Sequence, residues 1–163
     1  MTNTENAILP PGTAAPDFTL HTTPDQTVSL SNFRGKPVVL VFYPADFSPV
    51  CGDQLALYNQ VLPTLHKYAG DVQILGISVD GVWCHQAYAH ERKLKFPLLS
   101  DFHQHGATSK QYGVYDEATG TSERALFVLD PEGMITWSYV SPAGINPGAD
   151  GILEALKALP KKG

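Results

Sequence analysis

The stretch from Val38 to Gln54 constrains the fold more than any other part of the chain. Val38-Val39-Leu40-Val41-Phe42-Tyr43 is an unbroken apolar run rich in β-branched and aromatic residues. That is the pattern of a strand buried on both faces of a sheet. Pro44 ends the run and a short loop follows. A helical pattern then starts at Cys51, with Leu55, Leu57, Tyr58, Val61, Leu62 and Leu65 along its apolar face. A thiol at the start of a helix meets unpaired backbone N–H groups and the positive end of the helix dipole. Both favour thiolate over thiol, and the thiolate is the nucleophile. The chemistry expected of this chain is therefore a cysteine's.

A strand buried on both faces needs a full set of covering elements, and 163 residues suffice for them within a single domain, taken as residues 1–163. An apolar share of 43% and a charged share of 17% fit a soluble globular protein. The net charge of −5 leaves no electrostatic footprint for nucleic acid or an anionic membrane. No apolar run reaches membrane-spanning length, and Met1-Thr2-Asn3-Thr4-Glu5-Asn6 lacks the basic segment of an export signal. A reducing cytoplasm is the expected compartment. Two cysteines are too few for a disulfide framework, and in such a compartment a pair is more often catalytic, redox-active or simply buried.

Around the central strand the pattern predicts a polar lead-in to about residue 13, closed by Pro10-Pro11-Gly12, and a hairpin of Asp17–Leu20 and Thr27–Leu30 around Thr22-Thr23-Pro24-Asp25. Residues 31–37 are turn chemistry. The Cys51 helix should run to about Tyr68, kink at Pro63 and stop at Gly70. A second buried strand is expected over Val72–Val79, a helix over Val82–Leu94 and a short helix over Gln104–Tyr112. Asp116–Glu123 reads as a surface loop. Ala125–Leu129 and Met134–Tyr139 flank the turn Asp130-Pro131-Glu132-Gly133 as an antiparallel hairpin, and Gly151–Leu159 is a last helix. This is the order of a thioredoxin-like α/β sandwich: a central mixed β-sheet flanked by helices, with an N-terminal β-hairpin. A right-handed crossover from strand 38–43 to strand 72–79 puts Cys51 at the carboxyl end of the sheet, where open α/β folds place their sites.

Pro44-x-x-x-Ser48-x-x-Cys51 resembles the peroxidatic motif of the peroxiredoxins, Pro-x-x-x-Thr/Ser-x-x-Cys. Gly12-x-x-Ala15-Pro16-Asp17-Phe18, Tyr43-Pro44-Ala45-Asp46-Phe47, Leu75-Gly76-Ile77-Ser78-Val79-Asp80 and Ser122-Glu123-Arg124-Ala125-Leu126-Phe127-Val128-Leu129-Asp130 match in the same order. The likeness spans about residues 10 to 159. Within the family the chain is most similar to the Q type, related to bacterioferritin comigratory protein. The resemblance implies a thiol-dependent peroxidase acting on hydrogen peroxide or organic hydroperoxides, with no metal, haem or flavin. Cys51 would attack the O–O bond and become a sulfenic acid. Ser48 would donate a hydrogen bond to the peroxide, Pro44 would shield the thiolate from water, and Arg124 would hold the sulfur and the peroxide oxygens. A guanidinium, always charged and with fixed donors, suits that last role.

Two departures matter. Ser48 stands where threonine is more usual, losing the methyl that restricts its rotamer. Gln54 stands where glutamate is usual; an amide orients Arg124 without neutralising it, so a more loosely held arginine is expected.

Some Q-type members carry a resolving cysteine in the second helix, where Cys84 lies beside Trp83 and His85. Others carry it five residues after the peroxidatic cysteine, a position occupied here by Ala56. The absence of a cysteine near the carboxyl terminus argues against the typical two-cysteine subfamily. The resemblance thus implies a Cys51–Cys84 disulfide, recycled by a thioredoxin- or glutaredoxin-like reductant, in a monomer or homodimer. The alternative is a one-cysteine enzyme with an incidental Cys84. The two sulfurs are expected to lie apart in the reduced fold, so that a first turn must unwind before they bond. Tyr43 and Phe47 are expected to wall the pocket. His103-x-His105 and Cys84-His85 lack a third ligand at sensible spacing and read as ordinary histidines, not a metal site. A peroxide-sensing switch is the non-enzymatic alternative. A thiol–disulfide oxidoreductase is disfavoured by the missing Cys-x-x-Cys, and a Cys/His hydrolase by the lack of a histidine in a motif with Cys51.

Overall fold

The computed structural model describes residues 7–103 and 105–160. In chain order the elements are β1 (Thr19–Thr23), β2 (Gln26–Ser29), a 3-10 turn (Leu30–Phe33), β3 (Val38–Phe42), α1 (Pro49–Ala69), β4 (Gln73–Ser78), α2 (Val82–Arg92), β5 (Leu98–Ser100) and α3 (Ala107–Gln111). There follow β6 (Tyr115–Asp116), β7 (Thr121–Ser122), β8 (Arg124–Leu129), β9 (Ile135–Ser141) and α4 (Asp150–Lys157). Seven strands form one mixed sheet in the order β2-β1-β5-β4-β3-β8-β9, and β6 pairs with β7 apart from it. β3, β4 and β5 run parallel; β8 pairs antiparallel with both β3 and β9.

The pleat of β3 sorts its side chains onto two faces. Val39, Val41 and Tyr43 join Leu55, Tyr58 and Leu62 of α1, Tyr88 of α2 and Ile152 of α4 in one core layer. Val38, Leu40 and Phe42 face the other way, against Phe18, Leu30, Tyr112 and Ile135. An apolar run without alternation is what such a doubly covered strand requires. The same parity on β8 sends Leu126 and Val128 to the α1 face and Phe127 and Leu129 to the opposite face. Arg124, two residues before Leu126, therefore points toward α1. That single fact of register places the arginine.

Several boundaries differ from the expectations. The N-terminal hairpin is shifted: Thr22 and Thr23 lie in β1, and the connection shrinks to Pro24-Asp25 because Thr23 pairs with Gln26. Residues 8–15 are more than a polar lead-in. Ile8 and Leu9 pack against the second core layer, Leu9 N–H donates to the Tyr112 carbonyl, and Ala14 bridges Met134. The opening segment 1–6 lies outside the described residues. Leu98–Ser100 forms a further short strand, which pairs with β4 in register Gly76↔Leu98. Gly76 permits that closeness, since a Cβ there would stand 2.7 Å from a Leu98 methyl. The short third helix starts at Ala107, and Gln104, its expected first residue, lies outside the described residues. The loop 116–123 contains the β6–β7 ladder and buries Ser122. Among the described residues no helix is long and apolar enough to cross a membrane.

Candidate active site

α1 begins with Ser48 as N-cap and Pro49 in the first turn, so Cys51 is its third residue. Proline has no N–H to lose there, which makes it a favoured opening residue. The first intrahelical bond runs from Gly52 N–H to the Ser48 carbonyl at 2.8 Å, leaving the N–H groups of Val50 and Cys51 ahead of the helical ladder. The Ser48 hydroxyl does not cap them; it donates to the Ala45 carbonyl at 3.0 Å. Pro44 and Ser48 are half-buried. Phe47 takes a left-handed backbone, φ 65°, uncommon for a bulky residue and concentrated at functional loops. Its ring lies half-exposed over Tyr88, centroids 4.7 Å apart, so it covers the loop from outside. Tyr43 is fully buried, and its hydroxyl donates to Asp46 at 2.6 Å. Burial, then the Asp46 charge, holds its phenol well above the ordinary value.

Cys51 has no exposed surface and Arg124 is 3% exposed. Arg124 Nη1 donates to Cys51 Sγ at 3.4 Å and to Gln54 Oε1 at 2.8 Å. Its Nε and Nη2 donate to the Ala143 carbonyl at 3.1 and 2.7 Å. Gln54 Nε2 in turn donates to the Tyr58 hydroxyl at 3.0 Å, and that hydroxyl donates to the Gly148 carbonyl. The expectation of a loosely held arginine is thus corrected. Gln54 supplies an acceptor to the guanidinium and a donor to Tyr58, so the amide is satisfied at both ends, as a buried polar group must be.

Cys84 occupies the third position of α2, as Cys51 does of α1, and is partly exposed. Both are free thiols. The Cys84 sulfur and the carboxylate oxygens of Asp46 and Asp80 lie within 4.8 Å of one another. Burial, the Asp46 charge with a hydrogen bond to it, and then the Asp80 charge push the Cys84 thiol up to about 11. His85 beside it is buried. Its Nδ1 stands 2.6 Å from Asp46 Oδ2, and its Nε2 stands 3.0 Å from the Leu99 carbonyl. A carbonyl only accepts, so Nε2 carries a proton, and a second proton lies between Nδ1 and Asp46. The Asp46 amide donates to Asp80 Oδ2, which also accepts from Ser78. These carboxylates are thus engaged in a hydrogen-bonded hub. His103 and His105 are exposed, and neither belongs to the Asp46–Asp80–Cys84 cluster.

From the sequence, Asp46, Asp80 and Tyr88 have no assigned role, and His85 reads as an ordinary histidine. The hub leaves one faint trace: Ser78 and Asp80 are two apart at a strand end and so share a face. Tyr88 has no such signal. Its hydroxyl is buried without a hydrogen-bond partner among the described residues, and a Cβ on Gly52 would stand 3.3 Å from it. Burial pushes its phenol up to about 12, with Arg92 opposing and Asp46, Cys51 and Glu91 adding.

With this geometry in place, the comparisons with known proteins are informative. A family model described as "AhpC/TSA family" matches residues 11–138. The alkyl hydroperoxide reductase E of Mycobacterium tuberculosis is 40% identical over 134 residues, covering 82% of this chain and 86% of its own. The chloroplastic peroxiredoxin Q of Triticum aestivum is 40% identical over 129 residues, covering 78% and 58%. The crystal structure of Enterococcus faecalis AhpC superposes with a TM-score of 0.81 at 31% identity, covering 91% and 90%.

Proposed function

The chain belongs to the AhpC/TSA family of peroxiredoxins, and on that premise we propose how its site works as a thiol-dependent peroxidase. The Cys51 thiolate attacks one peroxide oxygen. The S–O bond forms as the O–O bond breaks, and the other oxygen takes a proton and leaves as water or an alcohol. Cys51 becomes a sulfenic acid.

Arg124 meets the sulfur and the charge developing on the peroxide. Nε, both protons of Nη1 and one of Nη2 are engaged, so one Nη2 N–H remains without a partner among the described residues. That donor, with the Val50 and Cys51 N–H groups, is available to an incoming oxygen. Donors fixed before reaction stabilise charge without reorganisation cost. Ser48, its proton spent on Ala45, offers lone pairs to the peroxide O–H and becomes a donor to the peroxide by rotating. Pro44, lacking an N–H, walls the approach. The observation that carries this reading is Arg124 Nη1 at 3.4 Å from Cys51 Sγ, with the guanidinium anchored at Gln54 and Ala143.

Cys84 is the proposed resolving thiol. Cys84, Tyr88 and Arg92 are spaced four apart and form one stripe along α2. Two of the three reach the first turn of α1: a Cβ at Gly52 would stand 3.0 Å from Arg92 Nη2 and 3.3 Å from the Tyr88 hydroxyl. The stripe therefore leads from the peroxidatic turn to Cys84. A thioredoxin- or glutaredoxin-like protein would reduce the resulting disulfide. The Q-type assignment draws on the Triticum relative and on the α2 position of Cys84.

Peroxide consumption with a small dithiol as reductant tests the reaction. Cys51→Ser should fall to the uncatalysed rate with the fold intact. A Cys51→Ser protein that still turns over peroxide contradicts the assignment.

A further inference from the structure

Cys84 is presented to two carboxylates, an arrangement opposite to the one around Cys51. Cys51 meets a guanidinium; Cys84 meets the carboxylates of Asp46 and Asp80. We propose that Asp46 and Asp80 hold Cys84 as an unreactive thiol while the fold is closed, and that departure of the Asp46 loop releases it for attack on oxidised Cys51. This rests on the reading of Cys84 as the resolving thiol.

Three observations combine. First, partial burial disfavours the Cys84 thiolate, and the negative charges beside it add to that. Second, Asp46 is not free to turn away: Tyr43 donates to one oxygen, His85 shares a proton with the other, and its amide is tied to Asp80. The Asp46–His85 pair is neutral as a whole, but the sulfur faces its carboxylate side. Asp80 receives only neutral donors, Ser78 and the Asp46 amide, and has no ion-pair partner among the described residues. Third, Asp46 lies between Pro44 and Ser48, in the loop that must shift if the first turn of α1 unwinds. The opening that frees Cys51 therefore also takes the Asp46 carboxylate away from Cys84.

Resolution joins the two sulfurs. The S–O bond of the Cys51 sulfenic acid breaks, the S–S bond forms, and the hydroxyl leaves as water with the proton of the Cys84 thiol. Burial is the leading cause of the raised Cys84 thiol, and the Asp46 and Asp80 charges add to it. The carboxylates' share lowers the thiolate fraction further, and since nucleophilicity rises only roughly half as fast as basicity, attack is slower while the latch is closed. That delay favours oxidation of Cys51 before a premature reaction of Cys84 with other electrophiles.

The test is the pH profile of Cys84 alkylation by iodoacetamide in a Cys51→Ser protein. The expected profile rises late, above that of an ordinary thiol. Asp80→Asn should move it to lower pH and raise the rate at pH 8 several-fold; Asp46→Asn should do the same if it folds. Burial alone would leave the profile unmoved by Asp80→Asn, and an unmoved profile overturns the proposal. A second arm oxidises protein carrying both cysteines with one equivalent of peroxide and follows intact mass. A 51–84 linkage that forms together with an unmoved alkylation profile rejects the latch and keeps Cys84 as the resolving thiol. Failure of the linkage to form in the unsubstituted protein rejects both.

Discussion

Gln54 stands where a carboxylate would neutralise Arg124, and the exchange alters what holds the guanidinium. Its amide oxygen takes one Arg124 N–H while its amide nitrogen reaches Tyr58, so the arginine is anchored yet keeps its full charge beside Cys51. Cys51, Arg124, Ser48 and Pro44 could be named from the sequence because each lies in a short motif with fixed spacing. The Gln54–Tyr58 link spans one helical turn, and its third member, Gly148, is 90 residues away; only the fold joins them. Ser48 offers the sharpest test at this scale. Its proton is spent on Ala45 in the resting site, so a donor role toward peroxide requires the hydroxyl to turn. Ser48→Ala should cost on the order of 100-fold in the rate of Cys51 oxidation, the size of loss seen when one such donor is removed, while Ser48→Thr keeps most of the rate. Stopped-flow fluorescence with hydrogen peroxide measures it. An unchanged Ser48→Ala rate would assign the hydroxyl to bracing the loop alone.

At the scale of elements, the long ones could be read and the shortest strands could not. α1, β3, β4, α2 and the β8–β9 hairpin carry enough apolar periodicity to declare themselves. β5 has three residues, and β6 and β7 two each; such strands exist only because the sheet or a neighbouring turn brings a partner alongside. α1 also contains a local contradiction. Pro63 sits exposed inside the helix, where proline removes a hydrogen bond and disfavours the helix by about 3 kcal/mol relative to alanine. Pro63→Ala should therefore stabilise the protein. The gain should be about 2 kcal/mol, because the more flexible unfolded chain of the variant offsets part of it. Urea denaturation reads the change, and peroxidase activity should be unaffected, since Pro63 lies three turns beyond Cys51. A destabilised variant would mean that the Pro63 ring is itself needed for packing.

At the scale of the molecule, the sheet is covered on both faces, and that burial takes four tyrosines out of water. Tyr43, Tyr58, Tyr88 and Tyr112 have no exposed surface. Burial is the leading cause that raises each phenol: to about 12 for Tyr58 and Tyr88, and upward for Tyr43 and Tyr112. Their folded values lie above the unfolded value near 10. Between pH 10 and 12 the native state therefore binds more protons than the unfolded state, and stability falls as pH rises. This contribution is fully present below about pH 10 and is lost progressively through about 12. Urea midpoints at pH 8 and pH 11 should differ, with the lower at pH 11; equal midpoints would contradict the burial of these hydroxyls.

The central claim is that peroxide converts Cys51 to a sulfenic acid and that Cys84 resolves it. Intact mass after one equivalent of hydrogen peroxide, for the unsubstituted protein and for Cys84→Ser, tests it most directly. The account predicts a loss of two hydrogens with a mapped Cys51–Cys84 linkage in the first, and the gain of one oxygen at Cys51 in the second. One added oxygen at Cys51 in both proteins, with Cys84 still alkylatable, would contradict it.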